Sequence, residues 1–379
     1  MSVDATGTVP APGPVDVLVI GAGQAGLATA RAAQTAGLSC LVAEARDDVG
    51  GSWPDYYDSL RLFSPARFSA LPGLPMPGPA DRYPMRDEMT EYLRTYADRF
   101  EVPVLTRTRV VSVTRDSDGF AVTTTTGQVL AGRSLVAASG GFGQPYWPAL
   151  PGATQFTGQL LHAAAYHSPD AFAGRRVVVV GRGNSAVQIA VELADVADVT
   201  LAVRRPLRLR NQRPLGVDVH HWSRWTGLDR LPVGARGAGS VGVLDDGRYA
   251  AAIAAGRPGA RAMFTRLTPA GVVWPDGAEE PVDVVLLTTG YRPDLAYLAD
   301  SGALDERGRP MHCQGMSMTV PGLGYVGLPG QTGFASATIR GVGPDARRVL
   351  RRLRPHLTDP LLRPSPAGRR HSPNRDRSR

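Results

Sequence analysis

The sequence predicts an α/β protein made of two similar domains with parallel sheets and a β-meander, the second domain inserted in the first. Two stretches share one pattern, VDVLVIGAGQAG at 15–26 and RRVVVVGRGNSA at 175–186. Each joins a short β-branched run to a glycine-rich turn and an alanine-rich helix, as in a β-α-β unit. A third observation, the apolar run PVDVVLLTTGY at 281–291, indicates that the chain returns to the first domain after completing the second.

The first unit has the G-x-G-x-x-G spacing of a Rossmann dinucleotide site. Gly21 permits a tight turn, Gly23 lets the backbone approach a pyrophosphate, and Gly26 lets helix and strand pack closely. Glu44 ends the next strand, 21 residues after Gly23, where a carboxylate bonds the ribose 2′-hydroxyl. The pattern favours FAD or NAD, and the alternative is a glycine-rich turn without a ligand. The expected contacts are Gly21, Gly23, Gln24, Ala25, Gly26 and Glu44.

The second unit repeats this arrangement as G-x-G-x-x-A. Its next strand ends in Arg204 and Arg205, where the first site has Glu44. An acid at this place favours an unphosphorylated ribose, whereas arginines favour a 2′-phosphate. The second site is therefore predicted to bind NADPH, unless the arginines are only a solvated strand end. The expected contacts are Gly181, Gly183, Asn184, Ser185, Arg204 and Arg205.

A chain with two such sites is expected to hold one dinucleotide permanently and to bind another transiently. The usual arrangement is a bound flavin that a nicotinamide reduces. Gly51, Ser52 and Trp53 follow the first unit and are expected near the flavin, although Trp53 suits a core position equally well. Thr289 and Gly290, in the turn that follows the returning strand, complete the expected cofactor contacts.

These patterns predict four segments. They are a flexible lead-in at 1–14, an FAD-binding domain at 15–155 with 286–345, an NADPH-binding domain at 156–285, and an Arg/Pro-rich tail at 346–379 that is largely disordered. Within the first domain, a helix is predicted at 85–100 and a meander at 104–138.

The positive charge of the chain is concentrated in its C-terminal part. All 42 basic residues are arginine, and the net charge is +8. Residues 347–379 hold 11 arginines and two aspartates, so residues 1–346 sum to −1. The high isoelectric point therefore does not belong to the folded domains, and no nucleic-acid partner is expected.

Composition excludes several classes of protein. No apolar run reaches the ~20 residues of a membrane span, and the N-terminus lacks the apolar core of a signal peptide, so a cytoplasmic protein is expected. Cys40 and Cys313 are far apart, which argues against a redox dithiol and against a thiol-disulfide reductase. His220 and His221 are adjacent and cannot share a helix face, so no metal site is expected there. The aromatic stretch around them favours a helix packed over the cleft.

A resemblance adds to this interpretation. Residues 156–166, FTGQLLHAAAY, have the spacing F-x-G-x-x-x-H-x-x-x-Y. By themselves they are only a linker, but just before a second Rossmann fingerprint they resemble the signature of the flavin-containing monooxygenases. GAGQAG, GRGNSA and TTGY fall in the order of that family. Tyr166 resembles the branch that oxidises nitrogen and sulfur, and the chain is most similar to short bacterial members associated with arsenic and heavy-metal resistance operons.

The resemblance implies FAD, NADPH, molecular oxygen and a small-molecule substrate. It implies hydride transfer from NADPH to FAD, a C4a-hydroperoxyflavin, and oxygenation of a soft nitrogen, sulfur or arsenic centre. His162 and Tyr166 would act at the domain junction, and Ser64 would stand where many members place an asparagine over the flavin. A serine offers one donor where an amide offers two.

Four questions stay open from the sequence. The serine keeps open an NADPH oxidase or diaphorase that forms no stable peroxyflavin. A third hypothesis is a flavin-binding accessory protein that has no turnover and acts through the arginine tail. The substrate is not identified, and a homodimer is compatible with the sequence.

Overall fold

The computed structural model describes residues 13–232 and 242–358. The first part of the chain forms β1 (Val15–Ile20), α1 (Gln24–Thr35), β2 (Cys40–Ala43), α2 (Arg86–Arg99), β3 (Val104–Leu105), β4 (Val110–Arg115), β5 (Phe120–Thr124), β6 (Val129–Ala137) and β7 (Gln144–Pro145). The middle part forms β8 (Gln159–His162), β9 (Arg176–Val180), α3 (Asn184–Leu193), β10 (Asp198–Val203), β11 (Leu209–Asn211), α4 (Val219–Thr226), β12 (Val243–Asp245), α5 (Arg248–Ala254), β13 (Gly259–Ala262), β14 (Arg266–Thr268), β15 (Gly271–Val273), β16 (Glu279–Pro281) and β17 (Val284–Leu287). The last part forms β18 (Tyr291–Arg292), β19 (His312–Cys313), β20 (Met316–Ser317), β21 (Leu323–Tyr325) and α6 (Ile339–Thr358).

The first sheet runs in the order β19-β20-β21-β6-β1-β2-β3. The strands from β21 to β3 are parallel, and β4 and β5 form an antiparallel meander on β6. The helix predicted at 85–100 is confirmed. The meander predicted at 104–138 is confirmed for 110–137, whereas β3 pairs in parallel with β2. Strand β21 comes from the end of the chain, which shows that the first domain is discontinuous.

Strand β1 is buried on both faces. Val17 and Val19 pack on the side of α1, α2 and α6, whereas Leu18 and Ile20 pack on the side of the meander. This is the alternation of a strand covered on both sides, and it explains why VDVLVI is almost continuously apolar.

The second sheet is parallel and runs in the order β13-β10-β9-β17-β8. Val177 and Val179 of β9 pack with α3, while Val178 and Val180 pack with Trp274 on the other face. Strands β14, β15 and β16 form an antiparallel meander of their own. The two domains thus repeat one plan, and the α/β prediction with an inserted second domain is confirmed.

The predicted return at residue 286 is too early. Strand β17 pairs with β8 and β9, so residues 284–287 all belong to the second sheet. All four residues of β17 are buried. The domain boundary therefore cannot fall in the middle of this apolar run. The chain leaves the second domain after Leu287.

The two connections between the domains are hydrogen-bonded to each other. The outgoing strand β7 pairs antiparallel with the returning strand β18. The N–H of Tyr146 also donates to the carbonyl oxygen of Gly290 at 2.9 Å. The domains are therefore joined by one two-stranded link, not by two independent loops.

The prediction that residues 346–379 are largely disordered is wrong for 346–358. These residues continue helix α6, and Ala346, Val349, Leu350 and Leu353 are buried in the core of the first domain. The apolar residues recur at helical spacing, so one face of α6 packs on α1 while arginines occupy the opposite face. Residues 359–379, and the lead-in up to residue 12, lie outside the described residues.

Within the described ranges, none of the helices combines the length and the apolar character that crossing a membrane requires.

Candidate functional site

The first glycine-rich turn has the geometry of a phosphate-binding site. Gly21 has φ of +100°, a region that favours glycine, and a Cβ at Gly26 would overlap the carbonyl oxygen of Gly21. Helix α1 begins after Gly23, and no side chain caps its first N–H groups. These uncapped N–H groups and the positive end of the helix dipole are suited to a pyrophosphate.

Glu44 lies directly beside this turn. Its side chain is buried, with Oε2 accepting from the N–H of Ala22 at 2.6 Å and Oε1 accepting from the N–H of Arg46 at 2.9 Å. The carboxylate therefore holds the turn in place from the end of β2. This is the position from which an acid can reach the ribose of a dinucleotide bound at the turn.

The loop after β2 and a segment before α6 close around the same turn. A Cβ at Gly51 would lie 2.9 Å from the Cα of Gly23, so the two backbones touch. The side chain of Gln24 accepts from the indole N–H of Trp53 at 3.0 Å and donates to the carbonyl of Ala337 at 2.6 Å. Gly51, Gln24 and Trp53 were predicted, whereas Ala337 was not, because no local pattern connects it with residue 24.

The second glycine-rich turn is built in the same way. Helix α3 begins after Gly183 without a capping side chain, and a Cβ at Gly183 would meet no atom within 4 Å. The Oδ1 atom of Asn184 is buried and has no hydrogen-bond partner among the described residues. An open turn, an uncapped helix and an unpartnered amide oxygen fit the phosphates and sugar of a second dinucleotide.

The sheet register places the arginines one residue beyond the predicted position. The N–H of Gly21 bonds to the carbonyl of Ala43, and the N–H of Gly181 bonds to the carbonyl of Ala202. Val203, not Arg204, therefore stands where the first site has Glu44. The second site therefore has a valine and no acid at this place. Arg204 and Arg205, which follow, are both exposed at the end of β10.

His162 connects the linker to the returning turn. Its Nδ1 accepts from the N–H of Ala164 at 3.1 Å, so its Nε2 carries the proton and donates to the carbonyl of Gly290 at 3.1 Å. Burial lowers the pKa of His162, because desolvation disfavours the charged ring. Both nitrogens are used within the protein, and the contacts are those of a positioning residue. Gly290 is held by this bond, and the neighbouring Thr289 donates to the carbonyl of Tyr146.

Tyr166 is fully buried in the second domain. Its hydroxyl donates to Glu192 on α3 at 2.9 Å, and its ring lies 6.0 Å from that of Tyr57. Tyr57 in turn donates to Gln188 of α3 at 2.6 Å. Burial raises the pKa of Tyr166. The tyrosine orients α3 and its N-terminal turn, and a direct part in catalysis for Tyr166 or His162 stays a prediction.

A cavity of about 300 Å³ lies at the two-stranded link. Tyr56, Phe142 and Tyr291 line it together with Ser52, Asp55, Gly143, Pro145, Ala164 and His167. Ser52 was predicted as a cofactor contact. The aromatic residues were not assigned a role, although TTGY at 288–291 and DYY at 55–57 are visible in the sequence.

Comparisons with known proteins agree with this geometry. Residues 18–225 match the model of the pyridine nucleotide-disulphide oxidoreductase family. A solved flavin-containing monooxygenase from Stenotrophomonas maltophilia is 32% identical, with a TM-score of 0.80 over 90% of this chain and 99% of that one. The chain belongs to the flavin monooxygenase family.

Two curated relatives extend over most of this flavin monooxygenase. The uncharacterized oxidoreductase CzcO-like of Geobacillus kaustophilus (strain HTA426) is 32% identical over 340 residues, which are 89% of this chain and 97% of its own. The indole-3-pyruvate monooxygenase YUCCA1 of Oryza sativa subsp. japonica is 30% identical over 326 residues, 76% of this chain and 80% of its own. The protein is thus an oxidoreductase with FAD and a nicotinamide dinucleotide as cofactors, and with oxygen and a small molecule as substrates.

Ser64 of this flavin monooxygenase lies in the loop before α2 and is buried. Its Oγ is 2.8 Å from the Oγ of Ser69, which also bonds to the carbonyl of Ser64 at 3.0 Å. The hydroxyl is thus engaged within its own loop. The proposed role of Ser64 beside the flavin stays a prediction.

Helix α4 places His220 against the loop that carries Ser64. His220 stacks on Phe63 and Phe68, and its Nδ1–H donates to Asp218 at 2.7 Å. Burial acts to raise the pKa of Asp218, but hydrogen bonds from His220 and Tyr83 hold it below its usual value. The part of the chain that the structure describes contains no group of three residues able to hold a metal ion.

Proposed function

We propose that this protein is an FAD- and NADPH-dependent monooxygenase that oxygenates a soft nucleophilic atom, namely nitrogen, sulfur or trivalent arsenic. The observation that carries the proposal is the repeated uncapped turn, at α1 and at α3, in two domains joined by a single hydrogen-bonded link. Such an arrangement serves two dinucleotides whose reactive rings must meet.

The residues of the first site suit FAD and those of the second suit NADPH. The turn from Gly21 to Gly26 and the carboxylate of Glu44 would hold the FAD pyrophosphate and ribose. The turn from Gly181 to Ser185 would hold NADPH, with Arg204 and Arg205 on its 2′-phosphate. Bound FAD supplies the chemistry that accepts a hydride from the nicotinamide and passes electrons to oxygen.

The side chains of the protein contribute position rather than acid–base chemistry. His162 fixes the turn at Gly290, and Tyr166 fixes α3, so the two cofactor sites keep a defined separation. Burial of both side chains also keeps water away from the junction. Neither residue has a free polar atom for proton exchange with a substrate.

The test is rapid mixing of the FAD-loaded protein. NADPH reduces it without oxygen, oxygenated buffer is added, and the flavin absorbance and the peroxide yield are followed. A transient spectrum distinct from oxidised and reduced flavin, which decays faster with a thioether, an amine or a trivalent arsenical, is the expected result. Immediate return of oxidised flavin with stoichiometric peroxide in every case would contradict a monooxygenase.

One observation favours a second candidate function, an NADPH oxidase or diaphorase. The Ser64 hydroxyl is bonded to Ser69, so it has little capacity left to donate to a group that would bind beside it. Stoichiometric peroxide in the wild type, with a slower release of peroxide in Ser64→Asn, would support this alternative.

A further inference from the structure

Three aromatic rings form a corner inside the cavity at the interdomain link. The rings of Tyr56, Phe142 and Tyr291, here called the aromatic corner, have centroids 5.8 to 6.4 Å apart. Their planes meet at 82°, 89° and 67°. Rings inclined in this way pack edge to face with one another. All three also line the cavity, so this part of its wall is aromatic, as in sites that bind cations on ring faces.

Apart from its two tyrosines, the titratable side chains of the cavity wall are Asp55 and His167, and no arginine among the described residues lines it. Asp55 contributes a carboxylate, which pairs with Arg46 outside the cavity lining. Ser52 donates to the hydroxyl of Tyr56 at 3.3 Å and so fixes that ring. Since Arg46 neutralises Asp55, selectivity for a cation rests mainly on the negative faces of the rings.

The aromatic corner lies between the two cofactor sites. Tyr56 packs edge-on against Trp53, which is bonded to Gln24 of the first turn. Tyr291 follows Gly290 and lies 5.1 Å from the ring of His162. A cavity of about 300 Å³ has room for a small molecule but not for a whole dinucleotide.

We propose that the aromatic corner binds an onium group, an alkylated ammonium or sulfonium, carried by the substrate. The inference rests on the proposed function and narrows its substrate class to small molecules with a permanent or protonated cationic head. The head would sit on the rings, and the soft atom to be oxygenated would lie elsewhere on the same molecule. A neutral molecule of the same shape would lack the cation–π attraction.

The experiment is calorimetric titration of the FAD-loaded protein with choline and with 3,3-dimethylbutan-1-ol, in which carbon replaces the charged nitrogen. Choline is expected to bind at least about tenfold more tightly, which corresponds to one cation–π contact in a desolvated site. Equal binding of the two compounds, or no binding of choline, would overturn the proposal. The readout does not depend on turnover, so failure here and failure of the monooxygenase reaction are distinguished.

Substitutions distinguish the contribution of the aromatic rings to choline binding from the contribution of general packing. Phe142→Leu, on a half-exposed ring, is expected to weaken choline binding about tenfold and to leave the neutral alcohol unaffected. Tyr291→Phe keeps the ring face and should retain binding. Trp147→Leu is the matched control, because Trp147 is exposed near His162 but does not line the cavity. Equal losses in Phe142→Leu and Trp147→Leu would contradict the assignment.

The oxidised nicotinamide ring is also a cation, and a second arm of the experiment separates it from the substrate. The titration with choline is repeated with saturating NADP⁺. Unchanged choline affinity supports a substrate site. Competitive displacement of choline by NADP⁺ would overturn the substrate assignment. It would indicate that the aromatic corner binds the pyridinium ring of the cofactor.

Discussion

At the scale of single residues, small differences in position determine what each turn can bind. Glu44 directly follows β2 and accepts a hydrogen bond from the N–H of Ala22, whereas Val203 stands at the matching place in the second domain. A valine cannot bond a ribose hydroxyl, and it does not repel a phosphate. The two exposed arginines that follow it are therefore the residues expected to select between NADPH and NADH.

Replacing Arg204 and Arg205 together with alanine is expected to lower kcat/KM for NADPH by about tenfold to a hundredfold. Loss of charge-assisted hydrogen bonds of about 1.5–3 kcal/mol is the reason. The measurement is steady-state oxidation of NADPH and NADH, and the NADH value should stay nearly unchanged. Arg266→Ala, an exposed arginine on the meander of the same domain, is the control. An unaltered preference in the double variant would show that the arginines do not contact the cofactor.

At the scale of elements, the helices show which features of a sequence are local. Helices α1 and α3 each begin directly after the second glycine of the fingerprint, without a capping side chain. Helix α6 was missed because its arginines and Pro355, within the predicted tail, indicate disorder when composition alone is considered. Its apolar face is stabilised by α1 and by the first sheet, not by its own propensity.

Leu353→Ala is therefore expected to destabilise the first domain by about 2–5 kcal/mol, as is usual for a fully buried leucine. Arg351→Ala, on the exposed face of the same helix, should change stability by less than about 0.5 kcal/mol. Urea unfolding followed by circular dichroism and by flavin release measures both variants. Equal stability of the two variants would mean that α6 does not pack as described.

At the scale of the whole molecule, the second domain is held to the first by more than the link. Segment 212–231 contacts the loop before α2 and the first turn of α6, both in the first domain. Tyr83 donates to Asp218 at 2.5 Å, and Arg340 forms a bidentate ion pair with Asp229 at 2.8 and 3.0 Å. The side chains of Asp229 and Arg340 are 13% and 12% exposed, so this pair is partly buried where the domains meet.

Asp229→Ala leaves the partly buried guanidinium of Arg340 without its partner, which costs about 1–3 kcal/mol. We expect faster hydrogen exchange at Phe334 and Ala335, whose N–H groups bond to the carbonyls of Leu231 and Asp229. Exchange in β9 should not change. Asp305→Ala, which breaks an exposed pair with Arg309, is the matched control. Identical exchange at 334–335 in Asp229→Ala and the wild type would contradict a role for this ion pair in holding the domains together.

The sequence alone determined the two glycine-rich turns, the strands and helices beside them, the insertion of one domain in the other, and the family. Those features depend on residues close together in the chain, where hydrophobic period and glycine spacing are direct signals. The tertiary structure decided that the second domain ends after Leu287 and that Val203 is the counterpart of Glu44 in the second site. It also decided the contacts of Gln24 with Ala337 and of Asp229 with Arg340. It also brought together the three rings of the aromatic corner from three separate segments of the chain. Sheet register and loop closure depend on packing between distant segments, and no local pattern in the chain specifies them.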